Sequence, residues 1–401
     1  MPGEKFITGI DIGTSKTRVL VATRNKEGNL ELVVYNQEES DGIRRGTVVG
    51  VERASDVLQE LCYRTAQDVG QEITSAYVNV SGSHLFSVPS RGLVSVSRAD
   101  RKISQEDVHR ALEAAKTINL SSNKEIFETY PKEYIVDDTG GIRDPLGLEG
   151  VRLEVKILAV GGFGPYVDNV EKAVLDADLE IMDMAPSVWA AARSALSDKE
   201  KERGVALVDI GAGITSVAVF EEGKLLHLAV LPMGSSNITN DIAIGLKTDI
   251  ETAESIKIEY GSCFLKGKDK ERKIDLGKED PLVFSQKFLV KVISDRVSEI
   301  LDQANKELKK ISKDKRLPAG IVLTGGGAKT HRIEEMGKKK FELPVRLGHP
   351  QGVLGVEDDL SMATVCGLVL WGADMEEQQG GDGFFSGVTS KIKRAIKIFI
   401  P

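Results

Sequence analysis

Two aspartates stand at the same point of two similar stretches. Asp209 follows the apolar run Val205-Ala206-Leu207-Val208 and precedes Ile210-Gly211-Ala212-Gly213. Asp11 follows Gly9-Ile10 and precedes Ile12-Gly13-Thr14-Ser15-Lys16. A carboxylate at a strand end can hold a hydrated Mg²⁺. Glycines just after it let the backbone turn sharply and leave N–H groups free to face an anion. Lys16 adds a charge that can neutralise phosphate. A third stretch, Ile321-Val322-Leu323-Thr324-Gly325-Gly326-Gly327-Ala328, runs from apolar residues into bare backbone against which a flat nucleoside can lie. One such turn alone is an ordinary hairpin. Two copies and a third glycine turn point to a phosphate group held between two similar halves.

The elements that must position these residues follow from periodicity. Residues 5–34 read as a three-stranded meander turning at 25–29, and β-branched alternation through Thr215 gives the return strand of the second turn. Residues 51–69 carry a helical apolar pattern closed by Gly70, and 76–80 form a buried strand. From there to Val160 the chain changes character. A strand at 91–97, a helix opened by Ser104 and Asp107, and strands at 133–137 and 151–160 suggest a small inserted α+β unit. A helix from Tyr166 and a strand at 179–184 follow, and Ala185-Pro186-Ser187 opens another helix. Residues 198–203 read as a solvated charged link. In the second half, Gly234 precedes a helix and Asp249 begins another. Glu254 and Lys257 share a face of the latter, either as a surface ion pair worth a few tenths of a kcal/mol or as a grip on ribose and adenine edges. Residues 265–284 are polar and strand-like, 288–311 form a long amphipathic helix, and 362–371 a last buried helix.

The 401 residues should hold more than one core, so two to four subdomains are expected in an α/β protein. A formal net charge of −8 argues against general nucleic-acid binding. Cys62, Cys263 and Cys366 lack metal-type spacing, and their odd number suits a reducing cytoplasm. No secretory signal and no run of transmembrane length is expected.

Residues 374–383, acidic and rich in Gly and Gln, read as a flexible linker. Beyond them, Phe384, Phe385, Val388, Ile392, Ile396 and Phe399 fall on one helical face, while Lys393, Arg394 and Lys397 lie opposite and Lys391 sits at the border. This is the pattern of a helix lying in a membrane surface, too short and too charged to span it. Docking on the protein's own body is the alternative, and the long linker favours the membrane.

Three such turns in this order resemble the actin/Hsp70/sugar-kinase ATPase superfamily. The resemblance implies two RNase H-like domains around a cleft, with ATP and Mg²⁺ as cofactors and Asp11 and Asp209 holding the metal through water. It makes Gly13 to Lys16 the first phosphate turn, Gly211, Ala212, Gly213 and Thr215 the second, and Gly325, Gly326, Gly327 and Ala328 the adenosine turn. A Walker A sequence is absent, so P-loop nucleotide binding is excluded. Ser81-Gly82-Ser83-His84, Arg91-Gly92, residues 131–137 and 144–155, Gly234 with 239–243, and Ala253-Glu254 with Ile256-Lys257 are similar to FtsA, the family of bacterial cell-division actin homologues. The similarity covers essentially the whole chain.

It implies a first subdomain from residues 5–83 and 163–203, completed by 362–373, and an inserted subdomain at 84–162. A second core subdomain would comprise 204–235 and 314–361. Residues 236–313 would bind the C-terminal peptide of the tubulin-like protein FtsZ, with Arg296 and Glu299 at matching positions, and the membrane helix would occupy 384–401. The implied function is an ATP-binding, self-polymerising tether between FtsZ and the cytoplasmic membrane at the septum, recruiting later division proteins through the insert. Leu148 departs from the Met frequent in the insertion motif. Ala185 stands where the filament protein MreB has a Glu, and alanine can neither orient nor deprotonate a water, which implies slow hydrolysis at most. A small-molecule kinase would need a base that the sequence does not offer, and has no use for a basic tail. An Hsp70-type chaperone would need a long region after residue 374. The insertion motifs argue against a pilus-assembly adaptor.

Overall fold

The computed structural model describes residues 5–265, 271–274 and 282–381. The chain begins with the meander β1 (Ile7–Ile12), β2 (Lys16–Arg24) and β3 (Leu30–Glu39). A short hairpin follows, β4 (Ile43–Arg44) and β5 (Thr47–Val48), then α1 (Val51–Val69) and β6 (Ser75–Val80). The insert comprises β7 (Phe86–Ser95), α2 (Gln105–Lys116), β8 (Lys124–Val136), β9 (Thr139–Ile142) and β10 (Arg152–Phe163). The first half closes with α3 (Gly164–Leu175), β11 (Glu180–Pro186), α4 (Ser187–Ala195) and α5 (Asp198–Arg203).

The second half repeats the plan. It opens with β12 (Val205–Ile210), β13 (Thr215–Glu221) and β14 (Lys224–Leu231), followed by α6 (Ser235–Leu246) and α7 (Ile250–Tyr260). Next come the hairpin β15 (Glu271–Ile274) and β16 (Leu282–Ser285), α8 (Gln286–Lys310) and β17 (Ile321–Thr324). The chain ends with α9 (Ile333–Phe341), β18 (Val345–Leu347), β19 (Val353–Leu354) and α10 (Ala363–Gly381).

The first sheet runs β11-β6-β1-β2-β3-β19 and the second β18-β17-β12-β13-β14. In each, two antiparallel steps join the meander, and two parallel steps lead from its first strand to later strands. Hydrophobic burial explains the duplication. Ile10, Val19, Leu20 and Val21 are fully buried in the first sheet, as are Val208, Val217, Ala218 and Val219 in the second, because strands covered on both faces need continuous apolar runs.

The insert forms its own sheet, β7-β10-β8-β9, with α2 on one face over Leu153, Val155 and Ile157. Ser104 caps α2, and Asp107 closes the capping box in return. Burial would raise the pKa of Asp107, yet the N–H and hydroxyl of Ser104, the Ser97 N–H and Arg110 together hold its carboxyl well below the usual range.

Two expectations fail. Residues 198–203 are not a loose link: Ser197 and Glu200 form a capping box on α5, and Glu200 also binds Arg346 of β18 at 2.7 Å through both guanidinium nitrogens it meets. Residues 374–381 are not a linker but the last two turns of α10. Their run lacks proline, and Asp374, Glu376 and Glu377 meet Arg193, Lys5 and Arg24 respectively, which anchors the helix on the first domain. Part of the polar stretch 265–284 forms the β15–β16 hairpin. The membrane-helix residues Phe384 to Phe399 lie outside the described residues. Among the described residues no helix is long and apolar enough to cross a membrane.

Candidate functional site: a cleft between two matching hairpins

Both glycine turns are built alike. In β1–β2, Asp11 lies opposite Arg18 and Ile12 opposite Thr17; in β12–β13, Asp209 lies opposite Ser216 and Ile210 opposite Thr215. Each turn is closed by one backbone bond between glycine and the third residue on. The Gly13 N–H donates to the Lys16 carbonyl at 3.2 Å and the Gly211 N–H to the Ile214 carbonyl at 2.9 Å.

The turns face one cleft of about 840 Å³. Asp11, Gly13, Thr14, Ser15 and Lys16 line it from the first half, and Asp209, Gly211 and Ala212 from the second. Gly325 and Gly326 line it from the turn after β17, and Glu254 and Lys257 from α7. The Glu254–Lys257 pair is closed at 2.6 Å, and both side chains also meet the buried Thr239 hydroxyl, so the face they share is set toward the cleft.

Five expected residues stand behind the cleft wall. Gly213 wedges between the hairpins: a Cβ there would lie 2.8 Å from the Thr14 methyl. Thr215 is fully buried, and among the described residues its hydroxyl has no hydrogen-bond partner. Gly234 backs the second turn, where a Cβ would meet the Gly211 and Ala212 carbonyls at 2.5 Å. The first N–H groups of α6, from Ser235 and Ser236, donate to those same carbonyls at 2.8 and 2.9 Å. The trans peptides therefore send the Ala212 and Gly213 N–H groups away from α6. Gly327 and Ala328 are buried against Ile210 and carry the turn from beneath. Gly325 has φ +83°, and a Cβ there would lie 2.2 Å from an Asp209 carboxylate oxygen, so glycine alone fits this contact.

Electrostatics separates the two aspartates. Burial raises the pKa of Asp11, but Arg18 at 3.2 Å works against that rise. Asn79 at the end of β6 donates to the other Asp11 oxygen at 2.9 Å, accepts the Ile12 N–H at 2.6 Å and donates to Ser187 at the start of α4. Among the described residues Asp209 has no such neighbour. Burial, and secondarily the charge of Asp11, push its carboxyl up to about 7 despite Arg18. Among the described residues no cluster of three or more potential metal ligands exists. Two carboxylates and a roomy cleft suit a cation that keeps most of its waters, as Mg²⁺ does, rather than an all-protein cage.

Sequence reasoning missed Arg18, Asn79 and Ser187, and the Lys329–Asp359 pair at 2.6 Å on the cleft wall. Hairpin register could have found Arg18, since four residues, 13–16, between the paired Ile12 and Thr17 set it across from Asp11. Ala185 is buried in the core of the first domain and does not line the cleft. Arg296 of α8 binds Asp241 at 2.6 and 3.0 Å and Glu299 at 2.5 Å, so both residues of the expected peptide contact are engaged with the protein itself.

Comparison with known proteins gives the family. A family described as "Cell division protein FtsA" matches residues 206–367, and one described as "SHS2 domain inserted in FTSA" matches residues 82–160. The Cell division protein FtsA of Pseudomonas aeruginosa is 36% identical over 383 residues, covering 94% of this chain and 91% of its own. The chain belongs to the FtsA family. The Bacillus subtilis FtsA is 32% identical, covering 95% of this chain and 86% of its own. An actin-like role in cell division follows from that membership. Solved structures carry the same fold at low identity. A chain of the PilM-PilN type IV pilus biogenesis complex has a TM-score of 0.67 at 18% identity, covering 92% of this chain and 98% of its own. MreB5 of Spiroplasma citri bound to ADP has a TM-score of 0.58 at 14% identity, covering 94% and 99%. The fold is that of the actin-like ATPases, and the FtsA insert is the sheet β7-β10-β8-β9 with α2.

Proposed function

We propose that this FtsA-family protein binds ATP with Mg²⁺ in the cleft, polymerises, and ties FtsZ filaments to the cytoplasmic face of the membrane at the septum, where its insert helps recruit later division proteins. The observation that carries the nucleotide reading is the pairing of two glycine turns with Asp11 and Asp209 across one cleft. The donor set fits the cofactor. Lys16 and the N–H groups of both turns suit phosphate oxygens, and Gly325 leaves bare backbone beside Asp209. Glu254 and Lys257 would meet the nucleoside, and Asp11 and Asp209 would hold the metal through water. The bound ion would offset the burial cost of the Asp209 charge and screen the phosphates. With Ala185 buried and no carboxylate in the place of a base, the chain's own residues bind and orient more than they hydrolyse. Nucleotide would then set domain closure and readiness to polymerise.

The membrane reading rests on the sequence of residues 384–401, where each Lys or Arg near an anionic surface adds about 1 kcal/mol. α10 itself is anchored on the first domain as far as Glu377. Because Arg296 and Glu299 are engaged, an FtsZ peptide would have to compete with Asp241 for the Arg296 guanidinium.

Co-sedimentation with anionic vesicles, with and without Mg²⁺–ATP and an FtsZ tail peptide, tests the tether. Full-length protein is compared with a chain ending at Gly381, which keeps α10 whole. Pelleting of the full-length protein alone, with the peptide carried down, is the expected result. If both forms stay in solution, or the peptide never follows, the tether reading fails.

A further inference from the structure

The insert meets the second half of the molecule along β14. There β14 is the edge of its sheet, and its outer carbonyls need partners. Ser87 of β7 supplies one, donating to the Leu228 carbonyl at 2.7 Å and accepting the Leu228 N–H at 3.2 Å. Lys132 of β8 supplies another, its ammonium reaching the Leu226 carbonyl at 3.1 Å.

Lys132 reaches across because the insert sheet is irregular at that point. Lys156 of β10 pairs with Glu133 and Ile157 pairs with Pro131, which leaves Lys132 as the extra residue of a β-bulge. Bulges re-aim a side chain in this way. On the other side of β10, Lys156 lies directly opposite Arg91 of β7. Like charges in that position repel. A cleft of about 380 Å³ opens beside these three cations, lined by Pro89, Ser90, Arg91, Lys132, Lys156 and Ile157. Among the described residues, Lys156 alone of the three has a carboxylate at hand, Glu133 at 2.7 Å. Among the described residues neither Arg91 nor Lys132 forms an ion pair, and burial lowers the pKa of Lys132 with no carboxylate to counter it. A bulged, half-buried lysine beside a facing Arg–Lys pair is an unbalanced positive site in a chain whose net charge is −8.

We propose that this seam cleft binds a small oxyanion of the phosphate class, held by Arg91, Lys132 and Lys156. It lies apart from the nucleotide cleft and shares none of its lining residues. Because Lys132 already spans to β14, an anion seated there fastens the insert to the second domain. Its chemistry suits a free phosphate compound or a phosphate headgroup, and the small cleft favours either over an acidic polypeptide.

Isothermal titration of the full chain with inorganic pyrophosphate tests the site. Lys16→Ala removes the phosphate-turn cation and should leave a saturable component in place. Arg91→Ala should weaken that component about tenfold or more, the loss expected of one charge-assisted hydrogen bond. Lys132→Met should do the same and Lys132→Arg should restore it; Arg91 is exposed, so its variant tests the site even if Lys132→Met fails to fold. Parallel pelleting with phosphatidate and phosphatidylcholine vesicles separates the sources. Phosphatidate binding that falls in Arg91→Ala assigns a headgroup, and pyrophosphate binding without it assigns a free ligand. The proposal is overturned if no component survives Lys16→Ala, if Arg91→Ala leaves it unchanged, or if hexaglutamate binds there and pyrophosphate does not.

Discussion

The hairpins β1–β2 and β12–β13 share register, turn length and an aspartate at the same place, yet their aspartates live in different surroundings. Opposite Asp11 stands Arg18; opposite Asp209 stands Ser216. Behind Asp11 stands Asn79, which bonds it. The matching place behind Asp209 is Thr324, whose hydroxyl turns instead to the Gly348 and Leu360 carbonyls. Burial raises the pKa of both carboxyls, but Asp11 has an ion-pair partner in Arg18, and among the described residues Asp209 has none. Duplication of a fold repeats the backbone; it does not repeat the electrostatics. Under the proposed function, one carboxylate would be held in advance by Arg18 and Asn79 while the other would respond to the ion.

The sharpest way to break this comparison is one substitution made twice. Asp11→Asn leaves Arg18 buried without its partner and should cost about 3–5 kcal/mol of stability. Asp209→Asn removes a charge that burial disfavours, so stability should stay within about 1 kcal/mol of the parent or rise. Urea unfolding without nucleotide reads the difference, and equal losses would mean that the asymmetry is wrong.

A smaller contrast lies one strand away. Asn79→Ala loses its bonds to Asp11, Ile12 and Ser187 and should cost about 2–4 kcal/mol. Thr324→Val, at the matching position, loses one donor shared by two carbonyls and should cost about 1 kcal/mol. The turns themselves should differ less. A Cβ on Gly13 would lie 2.7 Å from the Lys16 carbonyl oxygen, against 3.2 Å from Ile214 for Gly211. Gly13→Ala should therefore cost about 1–3 kcal/mol and Gly211→Ala under about 1, read as shifts in thermal midpoint.

The smallest effect concerns the link between the halves. Burial would raise the Glu200 carboxyl, but Arg346 and the Ser197 cap bring it down from its ordinary 4.5 to about 2. A carboxylate depressed on folding stabilises above its unfolded value and loses that contribution as pH falls through its folded one. Acid titration should show a step between pH 4.5 and about 2 that Glu200→Gln abolishes. An unchanged acid profile in that variant would place the link's stability elsewhere.

Much of this was legible before the structure. Apolar runs ending in Asp-Ile-Gly, the Ser104 cap and the amphipathic pattern of α8 are local signals, and each lies where periodicity put it. The errors have a common cause. Residues 198–203 read as a solvated link and 374–383 as a flexible linker because the partners of Glu200, Asp374, Glu376 and Glu377, namely Arg346, Arg193, Lys5 and Arg24, are far away in the chain. The inward placement of Asn79 was equally hidden, since β6 reaches Asp11 only through parallel pairing across α1.

The amino-acid sequence by itself determined where the strands turn, which turns carry glycine and which carry a carboxylate, because steric freedom and periodicity act over a few neighbours. Tertiary structure alone decided which aspartate is paired and which glycines face the cleft. It also set Lys132 against the edge of β14. Desolvation and Coulomb terms depend on burial and on groups brought together from both halves, and no local pattern encodes that sum.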